Sequence, residues 1–430
     1  MRRTLIRLSL LALLAVAVLV TAGVLARPRT TPDSAAAAAR PADPLTTRIA
    51  RTQQRLREVP GDWSAWATLG GAYLERARVT ADPELYPQAE QAANRSLSVR
   101  RDGNGDALVV LGALANARHD FAGARDRARA ALRVDPADAD AYGVLADALT
   151  QLGDAAGATG AVQRMLDLRP GLAAYARASY DLELRGRLDQ ATGLMTRALT
   201  DALDPHDVAF CRAQLGDLAF GRGELQTAQT EYAAALAADP SSVAARRGQA
   251  RVSAARGDLS TAITGYADLT ARLPGPSYLL EYAELLRVAG RHSEADQQLA
   301  LATAAHQLFT ANGGTDGLAT AALALAQGKP ADAVTAARAE WSRRKHPDVA
   351  DTLAWSLHAA GRDKEALPYA ERTSTGPAGY AFHRGAIHLS LGRTDQARTE
   401  FARALAVNPY FSLTDGPTAR RALAALGGPR

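Results

Sequence analysis

The sequence predicts an all-α protein built as a solenoid of tandem helical hairpins. Three observations carry that reading. A glycine followed five residues later by alanine recurs eight times, at Gly153/Ala158, Gly186/Ala191, Gly223/Ala228, Gly257/Ala262, Gly290/Ala295, Gly328/Ala333, Gly361/Ala366 and Gly392/Ala397. The steps between those glycines are 33, 37, 34, 33, 38, 33 and 31 residues. Around each pair, apolar residues keep the three-and-four rhythm of a single helical face on both sides of the glycine. Self-similarity at this period marks units that cannot bury their apolar faces alone, so neighbours stack and share one elongated core.

Each element of the unit has a physical reason. The glycine suits the left-handed residue that closes a first helix, because a Cβ there would clash with the backbone. The alanine is small enough for the second helix to approach the first closely. Several units end on a proline, among them Pro136, Pro170, Pro240 and Pro409. Proline cannot continue a helix and pushes the residue before it, such as Asp135, Asp239 or Asn408, into extended geometry. About ten units are expected over residues 63–412. The signature is weakest near Ala173, Gly314 and Pro347, and extra residues between Tyr73 and Ala89, at 201–207 and at 306–314 are read as lengthened helices or loops. Capping helices are expected at 45–62, with Leu45, Ile49, Leu56 and Val59 on one face, and at 413–430, with Ala419, Leu423 and Leu426.

The clearest start of a unit is Trp66, Leu69, Gly70 and Tyr73. Its W-x2-L-G-x2-Y spacing resembles the tetratricopeptide repeat (TPR), and Ala228, Tyr232, Ala235, Leu236, Pro240 and Ala397, Phe401, Ala404, Leu405, Pro409 resemble that repeat's second half. The resemblance implies a right-handed α-α superhelix whose first helices line a concave groove and whose work is protein–protein interaction. Carried onto this chain, the groove positions include Arg247, Arg251, Arg287, Asp147, Tyr180, Asp217, Phe220 and Trp355, together with Asp140, Glu183, Glu284, Phe210 and Phe382. Arg247 and Arg251 lie four apart, so both guanidinium groups are placed to converge on a carboxylate or phosphate of a partner. The other reading of these charges is that they pair across units or face water. Aromatic residues in the groove favour anchor pockets for a partner peptide or helix.

Composition narrows the rest. In 430 residues, hydrophobic types make up 47% and aromatics 5%, which fits a core of Ala and Leu in thin helix-to-helix contacts. Arginine supplies nearly all the cations, with lysine only at positions 329, 345 and 364, as in a GC-rich bacterial and specifically actinobacterial genome. Arg2, Arg3 and Arg7 precede the uncharged run Leu8 to Ala26, long enough to cross a bilayer as a helix. Residues 1–26 are therefore expected to be a signal-anchor or a signal peptide, and 27–44, rich in Ala and Pro, a tether. Retention is favoured over cleavage before Gly23 or Arg27. The array would then be extracytoplasmic on a single-pass membrane protein, or secreted if the leader is removed. The single Cys211 excludes an internal disulfide and reads as a small, partly buried side chain.

No catalytic or phosphate-binding motif stands above noise, so no enzyme, cofactor or metal is expected. His383 and His388, with His358 from the preceding unit, are the nearest approach to a metal site, but a spacing of five puts the first two on different helix faces. With the leader set aside, 47 basic and 45 acidic side chains remain, and no basic stripe points to nucleic acid. The expected partner is another protein or an extended peptide, with the membrane held through the N-terminal helix. The rival reading is an accessory subunit of envelope polysaccharide synthesis or export, and a third is a hydrolase hidden in the degenerate units.

Overall fold

The computed structural model of the protein describes residues 44–373 and 375–427. The chain divides into two units, Met1–Thr47 and Arg48–Arg430. Of the first, the described residues are the opening turn of the helix Pro44–Glu58; the expected leader and tether lie outside the described residues. Among the described residues no helix is long and apolar enough to cross a membrane.

The second body is a stack of helix pairs, and no strand occurs among the described residues. Units 1 to 5 pair Trp63–Thr80 with Tyr86–Val99, Gly105–Ala117 with Phe121–Val134, Ala139–Leu152 with Ala155–Leu168, Leu172–Leu184 with Leu188–Asp201, and Pro205–Gly221 with Leu225–Ala238. Units 6 to 10 pair Val243–Ala255 with Leu259–Arg272, Pro276–Val288 with His292–Ala311, Gly317–Ala326 with Pro330–Arg343, Pro347–Ala359 with Asp363–Ala370, and Ala378–Ser390 with Thr394–Val407. A last helix, Asp415–Ala425, covers unit 10 with Ala419 and Leu423. At the other end Ile49 and Leu56 are buried, and Gln53 donates to the Tyr73 hydroxyl of unit 1.

The local chemistry follows the sequence pattern. All eight pattern glycines have φ between 71° and 85°, the left-handed turn that closes each first helix. Asp135, Asp239 and Asn408, each before a proline, are extended, with ψ of 103°, 101° and 109°. The extra residues at 306–314 prolong the second helix of unit 7 to Ala311, and those after Tyr73 extend a helix to Thr80 and add a turn at Pro83–Leu85.

Each first helix packs on its own second helix, and each second helix on the next first helix. First helices of most successive units also touch each other directly. This asymmetry puts the first helices on the inner side of the curve. Two further glycines permit the closeness. Tyr232, fully buried in unit 5, lies between Gly216 of its own unit and Gly248 of the next, and a Cβ at either would sit 2.5 or 2.3 Å from its ring.

The array also closes on itself. The turn inside unit 2 meets the loop before unit 8, where Thr315 N–H donates to Arg118 O at 2.9 Å and Arg118 Nε donates to Asn312 O at 3.0 Å. The turn inside unit 3 meets the loop before unit 9, where Lys345 N–H donates to Leu152 O and Arg344 Nη1 to Gln151 Oε1. The turn inside unit 5 meets the loop after unit 10, where Asn408 Nδ2 donates to Phe220 O at 2.8 Å. The partners are 194, 193 and 188 residues apart, so the coil returns on itself after between five and six units.

Candidate functional site

The inner face is a set of first helices whose charged side chains clamp one another across unit boundaries. Arg177 of unit 4 grips Asp147 of unit 3 through two bonds of 2.9 and 2.8 Å. Arg251 of unit 6 reaches Asp217 of unit 5 at 3.5 Å, and Arg247 of unit 6 bonds Glu281 of unit 7 at 2.9 Å. His383 of unit 10 lies 2.9 Å from Asp351 of unit 9. Side chains 34 residues apart meet because equivalent positions of adjacent first helices are stacked side by side.

Two of these pairs are anchored from behind in the same way. Tyr232 and Tyr266, each on a second helix, pass their rings between the first helices. The hydroxyl of Tyr232 donates to Asp217 and that of Tyr266 to Glu281, each at 2.8 Å. Burial acts to raise the Glu281 carboxyl, but the Arg247 hydrogen bonds and charge outweigh it and hold the group below the usual range. Glu183, half-buried, is raised by desolvation and then by the charge of Asp217. Glu284 is also raised by burial, with Asp415 and Glu281 adding to it against a hydrogen bond from Thr414.

The placement of the expected groove residues departs from the sequence reading in several places. Arg247 and Arg251 do not converge on one point: the first is taken by Glu281, while the second lies 4.1 Å over the Phe220 ring and bonds Asp217. Arg287 donates to Ala326 O and pairs with Asp296 of its own unit. Phe220 and Phe382, expected as groove aromatics, are each only 4% exposed and belong to the core, because inter-unit packing closes over them. Tyr180 and Phe210 remain open, at 42% and 39% exposure. Burial, with the charges of Asp348 and Glu183, pushes the Tyr180 hydroxyl up to about 12. Trp355 is half-buried, with its ring 4.1 Å from that of His383 and 4.9 Å from that of His358. The loop after unit 10 reaches the inner face at Glu284, where Thr414 bonds Glu284 and Leu413 packs on the core of units 6 and 7, while Glu284 itself stays exposed.

The remaining candidates resolve simply. His383 bonds Asp351, His358 bonds Asp363 at 2.5 Å, and His388 is buried. Among the described residues no group of three or more metal-ligating side chains comes together. Cys211 is fully buried, deeper than expected, and burial raises its thiol to about 11, far from a reactive thiolate. Asp138 caps the first helix of unit 3 through the N–H groups of Asp140 and Ala141.

Sequence reasoning missed the self-contact of the coil and its buried polar residues. Arg344 is 5% exposed and held by Glu340 and Gln151, and Asn408 is 3% exposed. In sequence both are ordinary polar residues of loops between units. The one available signal was Asn408 before Pro409, a fixed turn with a side chain able to donate and accept.

Hairpins in series with first helices inward define a helical-repeat solenoid. Sequence profiles of the tetratricopeptide repeat match residues 110–173, 213–275 and 378–411, which are units 2–3, 5–6 and 10, and support placing the chain in that repeat family. No curated protein matches the chain. Among solved structures it is similar to a tetratricopeptide repeat protein from Parabacteroides merdae, with 18% identity over 60% of this chain and 99% of that one and a TM-score of 0.36. It is also similar to human IFIT1, with 14% identity, 76% and 77% coverage and a TM-score of 0.47. A third is yeast Tom70, with 14% identity, 89% and 85% coverage and a TM-score of 0.37.

Proposed function

We propose that the protein is a membrane-anchored, extracytoplasmic scaffold that binds another protein or an extended peptide along the inner face of its repeat array. Tetratricopeptide proteins mediate protein–protein interaction in general, and the profile matches bring this chain into that group. The observation that carries the reading is the inner face itself. It holds charges fixed in place by Arg177–Asp147, Arg247–Glu281 and Arg251–Asp217, next to the exposed rings of Tyr180 and Phe210. Charges that are already positioned lose little freedom when a partner arrives, so they give specificity at low entropic cost. The work of such a face is tethering and assembly.

The extracytoplasmic address rests on the Arg2, Arg3 and Arg7 cluster ahead of the apolar run Leu8 to Ala26. A mature chain beginning at Gly23 or Arg27 would reject the anchor. For the binding face, replacing Arg247 and Arg251 together by alanine should cut recovery of the partner from envelope extracts about tenfold, because it removes two positive charges from the face and frees Glu281 and Asp217 from the pairs that position them. Helix content should stay the same, and recovery should also fall as ionic strength rises. Undiminished recovery with the double variant rejects this face as the binding surface.

A further inference from the structure

Where the coil returns on itself, the first helices of units 2, 3 and 4 and the loops before units 8 and 9 line an open-sided cavity of about 420 Å³. We propose that this cavity binds a neutral, polyhydroxylated ligand, one sugar residue of a glycan. The cavity shares Tyr180 and Asp147 with the proposed protein-binding face, and the probes below, small glycosides with no protein partner present, read the cavity alone.

Two residues of the lining each carry a buried polar atom without a partner, Asn116 Oδ1 and His119 Nδ1. The identity of the first is fixed by its neighbour: Asn116 Nδ2 donates to Val144 O at 3.0 Å, so the orphan is the carbonyl oxygen, an acceptor. His119 Nδ1 lies 3.7 Å from Asp316 Oδ2, too far for a hydrogen bond. A buried polar atom left unpaired is costly, and a ligand or ordered water that satisfies it is correspondingly favoured.

Two of the three charged residues in the lining, Arg344 and Asp147, are already paired, and the third is the Asp316 carboxylate. Arg344, 5% exposed, is held by Glu340, which also binds Arg343, while Asp147 is held by Arg177. An anion would face the Asp316 carboxylate and a cation the Arg344 guanidinium in the same lining. A neutral ligand meets neither repulsion. Its groups must both donate and accept, since Asn116 Oδ1 and Asp316 Oδ2 can only accept, whereas Gln151, with Oε1 taken by Arg344, presents its NH2 as a donor. Hydroxyl groups fixed on a compact ring meet both demands. Tyr180, 42% exposed, supplies an open aromatic face on which the C–H side of such a ring can lie. The volume falls within the usual range for small-ligand sites.

The test uses the full chain with ligand-observed saturation-transfer NMR and calorimetry. The neutral probes are methyl glycosides of glucose, galactose, mannose and N-acetylglucosamine; the charged probes are glycine, dialanine and inorganic phosphate. At least one neutral glycoside should bind with roughly millimolar affinity or better. Tyr180→Ala and Asn116→Ala should each weaken it about tenfold or more, Tyr180→Trp should restore it, and Tyr410→Ala, at an exposed ring elsewhere, should leave it unchanged. Circular dichroism on each variant separates lost binding from lost fold. The proposal is overturned if no neutral glycoside binds, if only the charged probes bind, or if affinity is unchanged in folded Tyr180→Ala protein.

Discussion

Replacing Asn408 by alanine probes the contact by which the coil closes. Its side chain donates to Phe220 O and accepts from Tyr410 N–H, each at 2.8 Å, and it is 3% exposed. Alanine removes both bonds and leaves a carbonyl and an amide without these partners. A net hydrogen bond is worth about 1 kcal/mol and an abandoned buried group about 1–3 kcal/mol, so the closure between unit 5 and the loop after unit 10 should weaken by roughly 2–4 kcal/mol. The helices themselves lose nothing, and a repeat array opens locally before it unfolds as a whole. Native-state hydrogen exchange followed by mass spectrometry is therefore the assay. Amides of residues 408–416, and of the turn at 220–225, should exchange about 30-fold to several-hundred-fold faster, with the interior of unit 3 unchanged. An exchange pattern identical to the parent protein would refute the closed coil.

Gly248→Ala tests the packing that brings first helices together. A Cβ there falls 2.3 Å from the Tyr232 ring, which is fixed on its other side by Gly216 and by Asp217 at its hydroxyl, so the cost should be about 3 kcal/mol, read as a lower urea midpoint. A change below about 0.5 kcal/mol would contradict the ring's placement. The pH prediction concerns His346, which is 1% exposed and whose Nδ1 accepts from Asp348 N–H at 3.2 Å, so the neutral ring is the one that caps the helix. Burial, with Arg344 adding and Asp348 opposing, lowers its pKa below the ordinary 6.5. A depressed basic group contributes stability above its unfolded value and loses it as pH falls through the folded one. The thermal midpoint should therefore drop between pH 7.5 and 5.5. The raised carboxyls Glu183 and Glu284 act in the opposite direction from pH 4.5 upward, so the decisive reading is the difference from His346→Asn, which keeps a capping acceptor and should show a shallower drop. Equal drops in the two proteins would refute the assignment.

The repeat was legible in the sequence because its physics is local. Gly153 and its seven equivalents each answer to the same turn, and Asp239 before Pro240 answers to the proline beside it. The candidate site was legible only in position. Equivalent residues of adjacent first helices come together, so Arg251 and Asp217 could be placed on one face but not paired, and Arg177, the partner of Asp147, was not placed there; pairing depends on side-chain reach across a unit boundary. Phe220 and Phe382 were misplaced because the superhelical rotation per unit decides whether an inner-edge ring is open or covered, and that rotation is not written in any one repeat. The closure of the coil was hidden for the same reason. It joins Asn408 to Phe220 across 188 residues, and its bonds run largely to backbone carbonyls, which carry no sequence signature.

The central claim is that the inner face of the array is the surface that holds a partner. A photo-crosslinking residue placed at Phe210, on the first helix of unit 5, and in a second protein at Leu203, 94% exposed in the loop between units 4 and 5, tests it in the intact cell. The account predicts a discrete protein or peptide adduct from position 210 that is lost when Arg247 and Arg251 are also replaced, and none from position 203. Adducts from position 203 alone, or the same adducts from both, would contradict it.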